Sequence, residues 1–274
     1  SGTRPGADYR AVVTVSANDP VAPTSTITCA MRDRTRPAII SQVVAQTSTN
    51  GAGLITISNR IACADGSPCA LRFSFGLKPG YVWSNAWVGG ASATYGTPLV
   101  SNGEPRQVHA VATWSNETPV TNLLVITWDT RHAPAIAGWS TNFVIRTEIA
   151  TPWMDGKVVT GKTFLVDNAG PNASKAVVEL DSLQDGLYVL EGPVRVRWRG
   201  FRDPGGGIRN YQYGTNFAGA CRTTTATNAI LDDLRTNAMH AILVRAADIY
   251  GNVSRTFTNF VVLLSSGGDM DHDG

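Results

Sequence analysis

Apolar and polar residues alternate with a period of two along most of this chain, and no segment sustains the 3.6-residue period of an amphipathic helix. Strand candidates run Ile39–Ala45, Leu54–Ile57, Cys69–Phe75, Val82–Val88, Gln107–Thr113, Leu123–Trp128, Phe143–Ile149 and Lys162–Val166. A break follows at Asp167-Asn168-Ala169-Gly170-Pro171. The pattern then resumes over Ala176–Leu180, Leu187–Leu190, Val194–Trp198, Ile208–Tyr213, Ala241–Ala246 and Thr256–Leu264. Short strands punctuated by Gly, Pro and Asn turns predict stacked antiparallel sheets, not a parallel α/β sheet. Only Asn228–Asn237 reads as a short helix or a strand-connecting turn.

Side-chain parity predicts which faces are buried. Leu71, Phe73 and Phe75 share one face of their strand. Val194, Val196 and Trp198 share another, which places Trp198 in a core and turns Arg195, Arg197 and Arg199 outward. Trp83 and Trp128 are read as core residues on the same grounds. The order of elements repeats: Pro68–Phe75 aligns with Gly192–Trp198, Phe143–Arg146 with Ile242–Arg245, and a terminal strand closes each half at 162–167 and 256–264.

These signals divide the chain into an N-terminal extension (1–36), a first sandwich (37–168), a second sandwich (169–264) and a Gly/Ser linker with an acidic tail (265–274). In the extension, Tyr9, Ala11, Val13 and Val15 alternate with Arg10, Val12, Thr14 and Ser16, until Asp19-Pro20 and Pro23 stop the pattern. A shorter alternation runs from Thr24 to Cys29. A strand at 9–16, ahead of any domain, has unpaired backbone groups and must find a sheet, either its own or a neighbour's.

Several segments resemble a known family. Leu243 to Ser254, with Asp248-Ile249-Tyr250-Gly251-Asn252 at its centre, looks like a penultimate strand and Gly-Asn turn. Gly207-Ile208-Arg209-Asn210-Tyr211-Gln212-Tyr213 looks like a central strand. Ile126-Thr127-Trp128-Asp129-Thr130-Arg131 and Val166-Asp167-Asn168 match a related repeat. Together they resemble the immunoglobulin-like and fibronectin type III-like repeats of bacterial cell-surface and secreted proteins. The resemblance implies an all-β protein of two tandem immunoglobulin-like β-sandwich domains preceded by an extension containing a β-strand. It also implies an extracellular setting, and it carries no catalytic residues.

Composition narrows the partners. The chain has 274 residues, of which 16% are charged, and a net charge of +2, too little field to attract nucleic acid or an anionic membrane surface. No run of 18 apolar residues spans a membrane, and no basic-then-apolar leader follows Ser1-Gly2-Thr3. Four cysteines suit an oxidising compartment. Cys63 and Cys69 bracket the turn-forming Ala64-Asp65-Gly66-Ser67-Pro68, so the expected pairs are Cys63–Cys69 at a hairpin tip and Cys29–Cys221. Asn116, Asn172 and Asn252 sit in Asn-x-Ser/Thr sequons, candidate glycosylation sites in a host that uses them.

Chemistry is sparse. The four histidines share no ligand spacing, and none of GxSxG, HExxH or GxGxxG occurs. No cofactor is expected apart from Ca2+ at the tail, where Asp269, Asp271 and Asp273 with Gly274 make the first half of an EF-hand-type loop. The acidic residue of its twelfth position is not among these residues. Tyr81, Trp83 and Trp87 share parity and form a candidate platform for stacking sugars.

Two classes of function follow. The first is a non-enzymatic extracellular structural protein, a repeating subunit of a surface filament or adhesin. It would assemble head to tail through donation of the 9–16 strand, with itself or other surface proteins as partners. The alternative is a carbohydrate-binding accessory module of a secreted enzyme, with polysaccharide as its partner.

Overall fold

Period-two patterning becomes strand after strand in the computed structural model of the chain, which describes residues 8–15, 25–32, 35–63, 66–77, 82–101, 106–111, 114–115, 118–119, 121–133, 138, 140–181, 183, 188–190, 192–219 and 221–265. The only helical element among these is a 3-10 turn at Thr130–His132. No helix among the described residues is long and apolar enough to cross a membrane. Contacts gather the chain into two compact units. Unit 1 comprises Ser1–Ala45, Leu54–Ala133 and Asn142–Phe164; unit 2 comprises Gln46–Gly53, Pro134–Thr141 and Leu165–Gly274.

In the extension, β1 (Asp8–Val15) pairs antiparallel with β2 (Ser25–Arg32), with Tyr9 opposite Met31 and Val15 opposite Ser25. The N-terminal strand is therefore not an orphan. Its partner is the second alternation of the extension, lengthened to Arg32, and the pair forms a two-stranded sheet of its own.

Unit 1 continues with β3 (Ala38–Gln46), β4 (Leu54–Ala62), β5 (Pro68–Leu77), β6 (Trp83–Asn85), β7 (Val88–Ala93), β8 (Leu99–Val100), β9 (Gln107–Val111), β10 (Trp114–Ser115), β11 (Thr118–Pro119), β12 (Asn122–Asp129), β13 (Ser140–Ala150) and β14 (Val159–Thr160). One sheet has the order β3-β4-β12-β7 and another β14-β13-β5-β9-β8, with β6 also on β5. The first is the A-B-E-D order of an immunoglobulin sandwich. Between β5 and β12 the chain crosses over to lay down β7, then returns as the β8–β9 hairpin beside β5. Ile55, Ile57, Ile61, Leu124, Ile126 and Trp128 from the first sheet are buried, as are Leu71, Phe73, Phe75, Phe143, Ile145 and Ile149 from the second. The two faces meet where Phe75 stacks on Trp128 at 4.8 Å between ring centroids.

The strand β15 (Phe164–Asp167) leads into unit 2, made of β16 (Val177–Asp181), β17 (Tyr188–Leu190), β18 (Val194–Arg199), β19 (Ile208–Gly214), β20 (Cys221–Thr224), β21 (Asn228–Leu231), β22 (Ala238–Asp248) and β23 (Phe257–Leu264). Its sheets run β16-β18-β21 and β17-β23-β22-β19-β20, and β17 lies parallel to β23. In immunoglobulin terms this is A-B-E against C′-C-F-G, with a second piece of the first strand joined to the last. Alternation on β18 buries Val194, Val196 and Trp198 while Arg197 and Arg199 reach Asp181 and Glu179 on β16 at 2.7 and 3.0 Å. The core is completed by Ala229 and Leu231 from β21, Ile242, Val244 and Ala246 from β22, and Val261 and Leu263 from β23. Both units are thus all-β immunoglobulin-like sandwiches.

Three expectations change. Asn228–Leu231 is the strand β21, because Ala229 and Leu231 alternate into the core against β18. Trp83 lies on the short strand β6, half-buried, with the Arg146 guanidinium 5.7 Å from its ring centroid, and is not a core residue. The internal repeat is offset: β18 sits between β16 and β21, the place of β4 in unit 1, so the counterpart of β5 is β19. The pairing of β13 with β22 stands, since each is hydrogen-bonded to the strand in the β5 or β19 place.

Candidate functional site

At one end of unit 2 three carboxylates converge. Asp167 ends β15, Asp203 begins the loop before β19, and Asp248 ends β22. Their ligand oxygens lie within 4.8 Å of one another, with Asp167 and Asp248 buried and Asp203 partly so. Each is placed by its own local structure. Asp203 Oδ1 accepts from Gly205 N at 3.1 Å and Oδ2 from Gly206 N at 3.2 Å, folding Asp203-Pro204-Gly205-Gly206-Gly207 around its side chain. Asp248 Oδ1 accepts from Asn252 N and Oδ2 from Asn252 Nδ2, both at 2.8 Å. The intervening turn needs Gly251, whose φ is +83° and whose Cβ, if present, would stand 2.2 Å from Thr49 O. Asp167 is held through its backbone: N donates to Gln46 Oε1 at 2.8 Å, and O accepts from Gln46 Nε2 at 2.7 Å and Asn252 Nδ2 at 3.0 Å.

Burial pushes the Asp248 carboxyl above the usual carboxylate range, against the hydrogen bonds from Asn252. Burial likewise raises the Tyr250 phenol, and the three nearby carboxylates add to the effect. Three carboxylates this close repel one another, so the group is a place for a shared proton or for a hard cation with oxygen ligands. Among the described residues it is the set that could hold a metal ion. Sequence reasoning missed it. Its members lie 36 and 45 residues apart (203 − 167 and 248 − 203), far beyond any ligand-spacing motif. Their shared sign was a carboxylate with Asn or Gly close behind it, at two strand ends and in one loop: Asp167-Asn168, Asp248 to Gly251-Asn252, and Asp203-Pro204-Gly205. The expected calcium residues Asp269, Asp271 and Asp273 lie outside the described residues.

The candidate sugar platform is differently built. Tyr81 lies outside the described residues, and Trp83 has Arg146 over its ring. Trp87 stacks on His132 at 4.4 Å and 6° between planes, and Arg106 Cζ lies 3.5 Å from the same ring centroid. Two groups that close to one centroid cannot share a face without overlapping, so both faces of Trp87 are covered. The arrangement is locked. Asp129 caps the 3-10 turn by accepting from Arg131 N, and its other oxygen meets His132 Nδ1 at 3.2 Å. Arg106 Nη1 donates to Val88 O at 3.0 Å.

Cys63 and Cys69 do not flank a hairpin tip. β4 and β5 belong to different sheets, and both thiols point inward at 3% and 1% exposure. Cys63 Sγ lies 4.0 Å from Thr35 O, and Cys69 Sγ donates to Ser67 O at 3.6 Å. Cys221 is exposed on β20, and of Cys29 only the strand backbone is described. Among the sequons, Asn172 is exposed and its Oδ1 accepts from Ser174 N, whereas Asn252 is buried with its Nδ2 committed twice in the folded chain. Asn116 lies outside the described residues. Tyr9, Ala11, Val13 and Val15 lie on β1, paired with β2.

No family model matches the chain, and no curated protein matches it. Among solved structures it is similar to fibronectin(III)-like modules of Clostridium thermocellum CbhA, at 13% identity over 87% of this chain and 99% of that one, with a TM-score of 0.33. It is similar to the FN1-FN3 domains of chicken CNTN1 at 13% identity, covering 94% and 76%, with a TM-score of 0.33. A third structure, titled BspA_C_WT, is 8% identical and covers 83% and 100%, with a TM-score of 0.39. At these values the class, an immunoglobulin-like all-β protein, rests on the strand order.

Proposed function

We propose that the chain is a non-enzymatic extracellular structural subunit that assembles head to tail through β-strand contacts made by its N-terminal extension. The observation that carries this reading is the β1–β2 hairpin, eight residues on each strand and, among the described residues, joined to no larger sheet. A two-stranded hairpin by itself is marginally stable in water, so it needs a third strand or an apolar surface. The element donated is thus the hairpin, in place of a single strand. A receiving edge is available on β3, which ends its sheet and exposes Ile40 at 58% and Val43 at 63%. Exposed apolar edges are the sites at which another chain adds. Donor at one place and acceptor at another make a heterologous contact, which propagates instead of closing.

Covered on both faces, Trp87 gives the polysaccharide-binding alternative no stacking surface. The test is sedimentation and negative-stain microscopy of the full chain beside a version lacking residues 1–34. Concentration-dependent oligomers that vanish on deletion, and that weaken with Val43→Lys, are expected. A monomer at all concentrations, or oligomers that survive the deletion, would overturn the proposal.

A further inference from the structure

A cleft of about 360 Å³ opens on the outer face of the larger sheet of unit 1. That is within the range of ligand pockets, roughly 300–1,000 Å³. Its floor is made by the smallest side chains available: Ala70 on β5 lies directly opposite Ala150 on β13. One row along, Arg72 lies between Gln107 on β9 and Glu148 on β13. On the far side of β13, Asp155 bridges to Ala150, and Gly156 N donates to Ile149 O at 2.7 Å. Only glycine fits there, since a Cβ on Gly156 would stand 2.5 Å from both Ile149 Cγ2 and Pro37 O. The wall of the cleft is therefore built into the strand edge.

The charges lining it are not spent on each other. Glu148 is taken by Arg146 at 2.6 Å. Arg72 and Asp155, both exposed, make no ion pair or side-chain hydrogen bond among the described residues. A guanidinium and a carboxylate thus face solvent from two sides of an apolar floor, with the Gln107 amide beside them. They stand two strands and one row apart, about 12 Å between Cα atoms from ordinary strand spacing and rise. Three extended residues span about 10 Å.

We propose that this cleft binds a short extended peptide bearing both a free carboxylate and a free ammonium, the carboxylate on Arg72 and the ammonium on Asp155. A planar guanidinium matches a carboxylate with two parallel hydrogen bonds, and the alanine floor accepts a backbone that bulkier residues would exclude. The site is independent of the hairpin, so assembly and peptide binding succeed or fail separately.

The test is an amide-resolved NMR titration of the full chain with trialanine, N-acetyl-trialanine and trialanine amide, following Ala70, Ala150 and Gly156. Trialanine should give saturable shifts at these amides. Capping either end, or substituting Arg72→Gln or Asp155→Asn, should weaken binding about tenfold, the loss of one charge-assisted contact. Both residues are exposed, and an unchanged thermal midpoint confirms that each variant folds. No saturable shift, equal binding of the capped peptides, or the same shifts with maltotriose would overturn the assignment.

Discussion

Asn252 grips Asp248 twice, its backbone N donating to Oδ1 and its side-chain Nδ2 to Oδ2, each at 2.8 Å. The same Nδ2 also donates to Asp167 O at 3.0 Å, so one amide ties the end of β22 to the end of β15. Asn252→Ala removes these side-chain bonds and leaves a buried carboxylate oxygen unanswered. A loss of about 1–3 kcal/mol in the stability of unit 2 is expected. Urea unfolding followed by near-UV circular dichroism measures it; a loss under about 0.5 kcal/mol, the range of ordinary surface changes, would contradict the role.

The Tyr211 phenol lies among Trp198 and Phe201, at 5.4 and 5.7 Å between ring centroids, and burial raises its pKa. A raised folded-state pKa means that the native state holds the proton more tightly than the unfolded chain. The stability this contributes is complete below the ordinary phenol value of about 10 and is lost as pH climbs through the raised one. Unit 2 should therefore weaken above about pH 10, and Tyr211→Phe should flatten that part of the profile. Thermal midpoints from pH 8 to 11 for the two proteins decide it.

Trp198 is 3% exposed and packs against Tyr211 and Tyr213 as well as the aliphatic core of unit 2. Trp198→Ala should cost about 3–5 kcal/mol. Trp87→Ala, at a half-buried position outside the core, should cost less. Chemical denaturation of both variants ranks them, and a reversed order would show that the Arg106–Trp87–His132 stack contributes more than its burial suggests.

Thiol chemistry separates the cysteines. In a Cys29→Ser background, Cys221 should react with Ellman's reagent in the native protein, while Cys63 and Cys69, 3% and 1% exposed, should not. A denatured, unreduced sample that yields one thiol in place of three would show that Cys63 and Cys69 join when the protein is made in an oxidising compartment.

Sequons differ in the same way. Expressed in a glycosylating host, the chain should carry glycan at Asn172 and none at Asn252, as read by peptide mass mapping. Glycan on Asn252 would mean that the Asp248 turn is open when the modifying enzyme meets it.

Local alternation was enough to locate β18, β22 and β23 and to place Trp198 inward with its arginines outward. It failed at Asn228–Leu231, where four residues are too few to separate a strand from a turn. It also misaligned the repeat: apolar alternation is the same on every half-buried strand and does not say which neighbour that strand takes. The Asp167, Asp203 and Asp248 group was illegible for a related reason. Each carboxylate was visible as a turn residue, but only the sandwich brings two strand ends and the β18–β19 loop together.

The amino-acid sequence alone determined that this protein is all-β, because a period of two allows one face of a strand to be buried and nothing else. It also determined that an edge-forming strand lies near the N-terminus. Tertiary structure decided strand order, the pairing of β1 with β2, the covered faces of Trp87 and the cleft above Ala70 and Ala150. Those depend on contacts between residues distant in the chain, which no local pattern encodes.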